Sequence, residues 1–274
     1  MKKSEVRNDQ YFTIEKIAKD CVRLAIDNDN DNEFDVYIEP SAGTGNIFRQ
    51  LPESKRIGLD IDPKHAGVLE VDFFSWKPDK SLDDKSICFI GNPPFGKNSS
   101  LAVKFFNHAA KFGDKICFIV PRTFRKESLV NRLNDNFHLD AEYNLPKKSF
   151  ELDDGTVYPV ACVFQIWKKS DIKRLREDRS KSSSSWKWVK KDENPDYAIR
   201  RVGCNAGKIF RYASDISQSS HYFIKADKHV FHVFVEMFDE LYKTENYKTH
   251  KFDTSGNPSL SKSDIVEDYD LFIL

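Results

Sequence analysis

Five short apolar runs, at residues 34–39, 56–61, 68–72, 86–91 and 115–120, follow one another along the first half of the chain. Their β-branched and aromatic content predicts strands. The segments 98–112 and 123–136 carry their apolar residues at helical spacing instead. So does 14–26, where Ile14, Ile17, Ala18, Cys21, Leu24 and Ala25 share a face and Thr13 stands where an N-cap would. Strands alternating with helices predict an α/β domain whose mostly parallel sheet is covered on both faces.

Two later runs, 138–143 and 160–168, have no helical segment between them, which predicts an antiparallel hairpin closing the sheet edge, with Pro159 tolerated at the strand start. From Lys168 to Lys191 apolar periodicity vanishes. Ten basic residues there face three acids, a net +7, around the run Ser182-Ser183-Ser184-Ser185. The expected organisation is therefore a catalytic domain over 1–168, a basic linker over 169–193 and a small C-terminal recognition segment over 194–274. In that segment Asp227 should cap a helix over 228–243, Ser261 with Asp264 resembles a capping box, and 257–262 reads as a turn.

The 22 Phe, 10 Tyr and 4 Trp among 274 residues supply a large core, so the chain reads as globular. Lys and Arg total 43, as do Asp and Glu, so only local clusters can attract a polyanion. No run approaches the ~18 apolar residues of a membrane span, and the polar start has no leader-like apolar region behind it. Cys21, Cys88, Cys117, Cys162 and Cys204 lie far apart without any C-x-x-C, which fits free thiols in a reducing cytoplasm and no zinc site.

Chemistry gathers at the carboxyl ends of the strands. The first leads into Glu39-Pro40-Ser41-Ala42-Gly43-Thr44-Gly45, a loop whose backbone can approach a ligand closely. Phe48 occupies the place of the third glycine of a dinucleotide fingerprint, and no Gly-Lys-Ser/Thr follows, so neither NAD nor ATP is favoured. An ordinary tight turn would also explain such a loop. The second strand ends Asp60-Ile61-Asp62, placing Asp60 where a cofactor ribose needs a carboxylate, and the third ends Asp72-Phe73. Three strands thus bring Glu39, Asp60 and Asp72 to one edge.

The fourth strand ends in Gly91-Asn92-Pro93-Pro94-Phe95-Gly96. Two prolines remove backbone donors and stiffen the loop, leaving the Asn92 side-chain oxygen and the Pro93 carbonyl as fixed acceptors beside the aromatic Phe95. Such a pair suits a planar amine. The exocyclic amine of adenine is a poor nucleophile because its lone pair is delocalised, and two acceptors would favour a pyramidal, reactive nitrogen.

With these residues the chain resembles the S-adenosylmethionine-dependent adenine-N6 amino-methyltransferases, whose catalytic motif is Asn-Pro-Pro-Phe. The resemblance spans roughly residues 8–168 and implies a Rossmann-like class I methyltransferase fold. It implies S-adenosylmethionine as cofactor, no metal, and nucleic acid, DNA first, as partner. By the same resemblance Asn92, Pro93, Pro94 and Phe95 are catalytic, Asp60 with Ile61 binds the ribose, and Asp72 with Phe73 binds the cofactor adenine. The segment from Asp9 through Tyr11 to Thr13 reaches the methionine part, and Phe150 clamps the flipped base. Asn-Pro-Pro followed by an aromatic also occurs in methyltransferases of structured RNA and of protein glutamine, and a module that binds without turnover is the remaining alternative.

Lys187, Lys190 and Lys191 are candidate phosphate contacts, with Trp186 and Trp188 either stacking on bases or packing one strand edge into the core. Arg200, Arg201 and residues 208–211 are either further phosphate contacts or solvated charge. His229, His232 and Glu236 share a helical face but lack a fourth ligand, so no metal is expected.

Overall fold

Seven strands build the central sheet: β1 (Val36–Glu39), β2 (Arg56–Asp60), β3 (Val68–Glu70), β4 (Ile87–Gly91), β5 (Lys115–Pro121), β6 (Phe137–Asn144) and β7 (Cys162–Lys169). The computed structural model describes residues 11–27, 34–152, 154–176, 178–243, 250–254 and 257–274. The chain divides into two units: Met1–Phe124 with Ser128–Arg176, and Arg125–Glu127 with Glu177–Leu274. The expected linker is therefore split. Residues 169–176 stay with the sheet because β7 runs to Lys169 and Arg174 bonds the carbonyls of Phe137 and Val130. The remainder, including a strand at Lys187–Val189, joins the second unit.

In the first unit the strand order is β3-β2-β1-β4-β5-β7-β6. The pairs β3-β2, β2-β1, β1-β4 and β4-β5 are parallel, whereas β7 runs antiparallel to both neighbours. This is the open, mostly parallel α/β sheet expected, with the expected hairpin at one edge. Every residue of β1, β4 and β5 is buried, as a strand covered on both faces requires. Alternate residues feed two cores. Ile38, Phe89, Ile116 and Phe118 face one layer with α2 (Ser100–Ala109), and Cys88, Ile90, Cys117 and Ile119 face the other with α1 (Glu15–Asp27). Lys115, fully buried, donates Nζ to the carbonyl of Ala25 at 2.6 Å and so closes the C-terminal end of α1.

The predicted helix over 123–136 is absent as a continuous element. A short 3₁₀ turn and one α turn, Glu127–Val130, stand in its place. Asparagine side chains take the backbone groups that a helix would use: Asn107 accepts from the N–H of Asn134 and donates to the carbonyl of Arg132, and Asn134 accepts from the N–H of Asn136. A three-stranded antiparallel patch also joins Phe12–Thr13 to Phe150–Glu151 and that to Val157–Tyr158.

The second unit holds a four-stranded antiparallel sheet, β8 (Lys187–Val189), β9 (Tyr197–Arg200), β10 (Ile209–Arg211) and β11 (His221–Lys225), in the order β8-β11-β9-β10. Two helices, α3 (Lys228–Met237) and α4 (Lys262–Phe272), pack on one face around Trp186, Ile199, Ile224, Phe234 and Tyr269. The side chain of Asp227 accepts from the N–H of Val230 at 3.0 Å, and Ser261 with Asp264 completes a capping box. Beyond Met237 the helix continues as a single π turn, Phe238–Tyr242. Among the described residues no helix is long and apolar enough to cross a membrane. All five cysteines are free thiols, and only Cys204 is exposed.

Candidate active site

The order of the sheet reverses between β1 and β4, and in open α/β sheets ligands bind outside the carboxyl ends of the strands at such a switch point. A cleft opens there. It is lined by the segment Tyr11, Phe12 and Thr13, by Glu39, Pro40, Ser41, Ala42 and Gly43, by Asp60 and Ile61, by Asp72 and Phe73, and by Asn92, Pro93, Pro94 and Phe95. All the described residues predicted for catalysis and cofactor binding thus meet in one cleft of the first unit, except Gly45. That glycine, at φ +75°, lies behind the loop, where a Cβ would come within 2.9 Å of the His65 ring. Gly43 adopts φ +48° directly against the Phe12 ring, 2.9 Å from where a Cβ would stand.

The acids take three different roles. Asp60 accepts the N–H of Gly43 at 2.7 Å on one oxygen and that of Asp62 at 2.8 Å on the other. Each carboxylate oxygen retains a second lone pair for a ligand hydroxyl. Asp72 is exposed and accepts the N–H of Phe74 at 2.9 Å, while Phe73 is buried against Phe105 and His108. Glu39 is 3% exposed. Burial drives its pKa well above the ordinary carboxylate range against a bond from the backbone of Phe48, and Asp60 pushes it further up.

Three buried side-chain oxygens on this cleft lack a hydrogen-bond partner among the described residues: Thr13 Oγ1, Glu39 Oε2 and Asn92 Oδ1. Buried acceptors left unmade cost free energy, so their convergence is the mark of a polar ligand site. The Asn92 amide is oriented by its other end, since Nδ2 donates to the carbonyl of Tyr11 at 2.9 Å and a carbonyl can only accept. The Ser41 hydroxyl donates to the Asn92 carbonyl at 3.2 Å, tying the loop after β4 to the glycine loop. Downstream, Gly96, Asn98 and Ser99 all have positive φ, and the Phe95 carbonyl accepts the N–H groups of Leu101 and Ala102 at the start of α2. The loop is thus fixed on its downstream side by strained backbone at Asn98 and Ser99 and by the start of α2.

Phe150 corrects the expectation drawn from resemblance. It pairs with Thr13, is fully buried and belongs to the core beside α1, so it cannot clamp a base in this arrangement. The aromatic of that hairpin which stacks toward the cleft segment is Tyr158, 4.8 Å from Tyr11. Asn46, Phe74, Leu101 and Phe105 also line the cleft. Residue type alone carried no signal for these four, although Asn46 lies only one residue past the glycine loop.

Lys187, Lys190 and Lys191 belong to the second unit, apart from this cleft in the chain's division. Lys187 and Lys190 are exposed, whereas Lys191 donates Nζ to the carbonyl of Ile216 at 2.8 Å. Trp186 is 4% exposed and packs edge-on against Phe234 and Tyr269, so it is a core residue. Several charges of the +7 stretch are neutralised locally: Lys168 pairs with Asp140, Lys169 with Asp114, Lys173 with Asp135 and Arg179 with Glu267. Asp9 and Gln10 lie outside the described residues.

No protein-family model matches this chain, and no curated protein matches it. Among solved structures, a protein of Pyrococcus horikoshii described as an RNA methyltransferase is similar at 18% identity and a TM-score of 0.47, over 62% of this chain and 92% of its own. The 23S rRNA methyltransferase ErmE is similar at 14% identity and a TM-score of 0.43, over 61% of this chain and 73% of its own. The methyltransferase subunit of a type I restriction-modification system from Streptococcus thermophilus aligns over 100% of this chain and 64% of its own, at 14% identity and a TM-score of 0.44. Each is a likeness of fold and of nothing further.

Proposed function

We propose that the protein transfers a methyl group from S-adenosylmethionine to the exocyclic N6 amine of adenine in nucleic acid, with DNA the first substrate and structured RNA the second. The observation that carries this reading is the Asn92 amide, whose nitrogen is spent on Tyr11 while its buried oxygen stands unpartnered in the cleft. An acceptor held this way suits a substrate N–H.

The cleft also fits the cofactor. Asp60 offers lone pairs to ribose hydroxyls, the orphaned Glu39 and Thr13 oxygens suit a cationic or donor-rich end, and Asp72 with Phe73 suits a purine. When bound, S-adenosylmethionine supplies a methyl group on a sulfonium sulfur, activated toward a nucleophile. The chain's own part is to place and polarise the amine. Asn92 Oδ1 and the Pro93 carbonyl accept hydrogen bonds from its two N–H groups, drawing the lone pair out of the ring, and Phe95 offers a face for the base. One of these protons leaves to solvent once the nitrogen carries the methyl group. An adenine in a duplex reaches Asn92 only by leaving the stack.

The test is incubation with methyl-labelled S-adenosylmethionine and separate pools of DNA, RNA and protein, followed by digestion to the modified nucleoside or residue. N6-methyladenine in the DNA digest is the expected product. Label in glutamine, or in no pool, overturns the reading. Asn92→Ala should lower transfer by about 10²-fold or more, the scale of losing one acceptor or donor at a reacting centre, while cofactor affinity stays within about tenfold.

A further inference from the structure

Tyr11, Phe12 and Thr13 form an arm with one foot in each half of the cleft. Toward the cofactor side, Phe12 lies on Gly43, the Thr13 carbonyl accepts from Asn46 Nδ2 at 2.8 Å, and Thr13 Oγ1 is buried without a hydrogen-bond partner among the described residues. Toward the substrate side, the Tyr11 carbonyl accepts from Asn92 Nδ2 at 2.9 Å. Further contacts hold the arm in place. Phe12 and Thr13 pair with Glu151 and Phe150, Ile14 donates to the carbonyl of Ser149 at 3.1 Å, and the Tyr11 ring stacks on Tyr158 at 4.8 Å and 26°.

We infer that this arm is the positioning element for Asn92: docking of Tyr11–Thr13 turns the Asn92 oxygen toward the substrate, so that filling the cofactor half of the cleft completes the acceptor in the substrate half. The inference rests on the methyl-transfer reading for its catalytic consequence, but its structural core is independent of it. A free asparagine amide can present either end to the cleft. Only a fixed acceptor behind it, here the Tyr11 carbonyl, excludes the arrangement in which Nδ2 faces the amine and repels its protons. Tyr158 is the outer clamp of the device. It stacks on the residue whose carbonyl does the orienting, yet it is absent from the cleft lining.

Two measurements on the full chain test this. The first is hydrogen exchange of Asn92→Ala, which deletes the bond to Tyr11. The amides of Phe12, Thr13 and Ile14 should exchange about three- to tenfold faster, the worth of one hydrogen bond, with β1 and β4 unchanged. Unchanged exchange in the arm overturns the inference. The second is steady-state kinetics of Tyr158→Leu and Tyr158→Phe with labelled S-adenosylmethionine and the nucleic acid that accepts label. Leu should lower kcat about tenfold or more at saturation of both substrates, with KM for nucleic acid within about twofold, and Phe should restore kcat because it keeps the stack. A purely structural Tyr158 would lower the melting temperature and leave kcat per folded molecule intact, which also overturns the inference. If wild-type protein transfers no methyl group, the functional reading fails, and the exchange measurement still decides whether the arm and Asn92 are coupled.

Discussion

Gly43 donates its backbone N–H to Asp60 Oδ2 at 2.7 Å, so the acid expected to hold a ribose also holds the loop that would cradle the cofactor. Asp60→Ala therefore removes ligand contacts and a loop anchor together. Cofactor affinity should fall by at least the ~1.5–3 kcal/mol of charge-assisted hydrogen bonds. Asp60→Asn keeps one acceptor and should lose less. Titration calorimetry of both variants is the check, and unchanged affinity in Asp60→Ala would move the cofactor site elsewhere.

Glu39 carries a pH signature. Its folded pKa lies well above the ordinary 4.5, with burial the main cause. The folded state thus binds a proton more tightly than the unfolded one, and the associated stability is present below about pH 4.5 and lost as pH rises toward the raised value. Relative to Glu39→Gln, ligand-free wild type should lose stability steadily over that window. Denaturant unfolding of the pair at pH 4.5 and pH 7.5 measures it, and a pH-independent difference between them would contradict the assignment.

In the second unit the Tyr242 hydroxyl donates to Asp268, and burial raises the Asp268 pKa to about 6 in spite of that bond. His250, bonded to Asp253, is also raised above its ordinary 6.5. Both shifts have the same sign: the stability they contribute is present at low pH and lost as pH climbs through about 6 and then through the raised histidine value. The unit should be more stable at pH 5.5 than at pH 8. Asp268→Asn should flatten the lower part of that dependence, read by thermal unfolding across the range.

For nucleic acid, Lys187 and Lys190 project into solvent, whereas Lys191 is bonded to Ile216. If the first two lie on phosphates, replacing both by Gln should flatten the plot of log affinity against log salt by about 0.9 for each on duplex DNA, or about two contacts in all. Sequence preference should persist, because phosphate contacts carry none. Filter binding at a series of salt concentrations gives the slope, and Lys191→Gln alone should change it least.

The sequence showed its parallel strands plainly, because strands covered on both faces must be apolar throughout. The five predicted runs coincide with β1 to β5 to within two residues at each end. The cleft was legible for a related reason, since Glu39 and Asp60 close their strands, Asp72 and Asn92 follow theirs within two residues, and strand ends of one sheet converge. What escaped was set by distant partners. Helical periodicity in 123–136 gave no warning that Asn107, on another helix, would capture the backbone of Arg132 and Asn134. Phe150 looked like a site aromatic until its pairing with Thr13 placed it in the core. The bond between Asn92 and Tyr11 joins residues 81 positions apart, beyond any local pattern.

The second unit is made from two stretches of chain, Arg125–Glu127 and Glu177–Leu274. Within it Arg125 pairs with Asp253 at 3.4 Å, Lys126 with Asp264 at 3.4 Å, and the N–H of Arg179 reaches Glu127 at 3.3 Å. The unit is consequently no detachable appendage. A graft that moved residues 177–274 onto another α/β unit would leave Asp253 and Asp264 without these cations, and the recipient would have to supply Arg, Lys and Glu just after its own fifth strand. A single crossover, enough for proteins whose modules meet at one junction, would separate these pairs, so moving the second unit with all of them intact takes changes at two places in the gene.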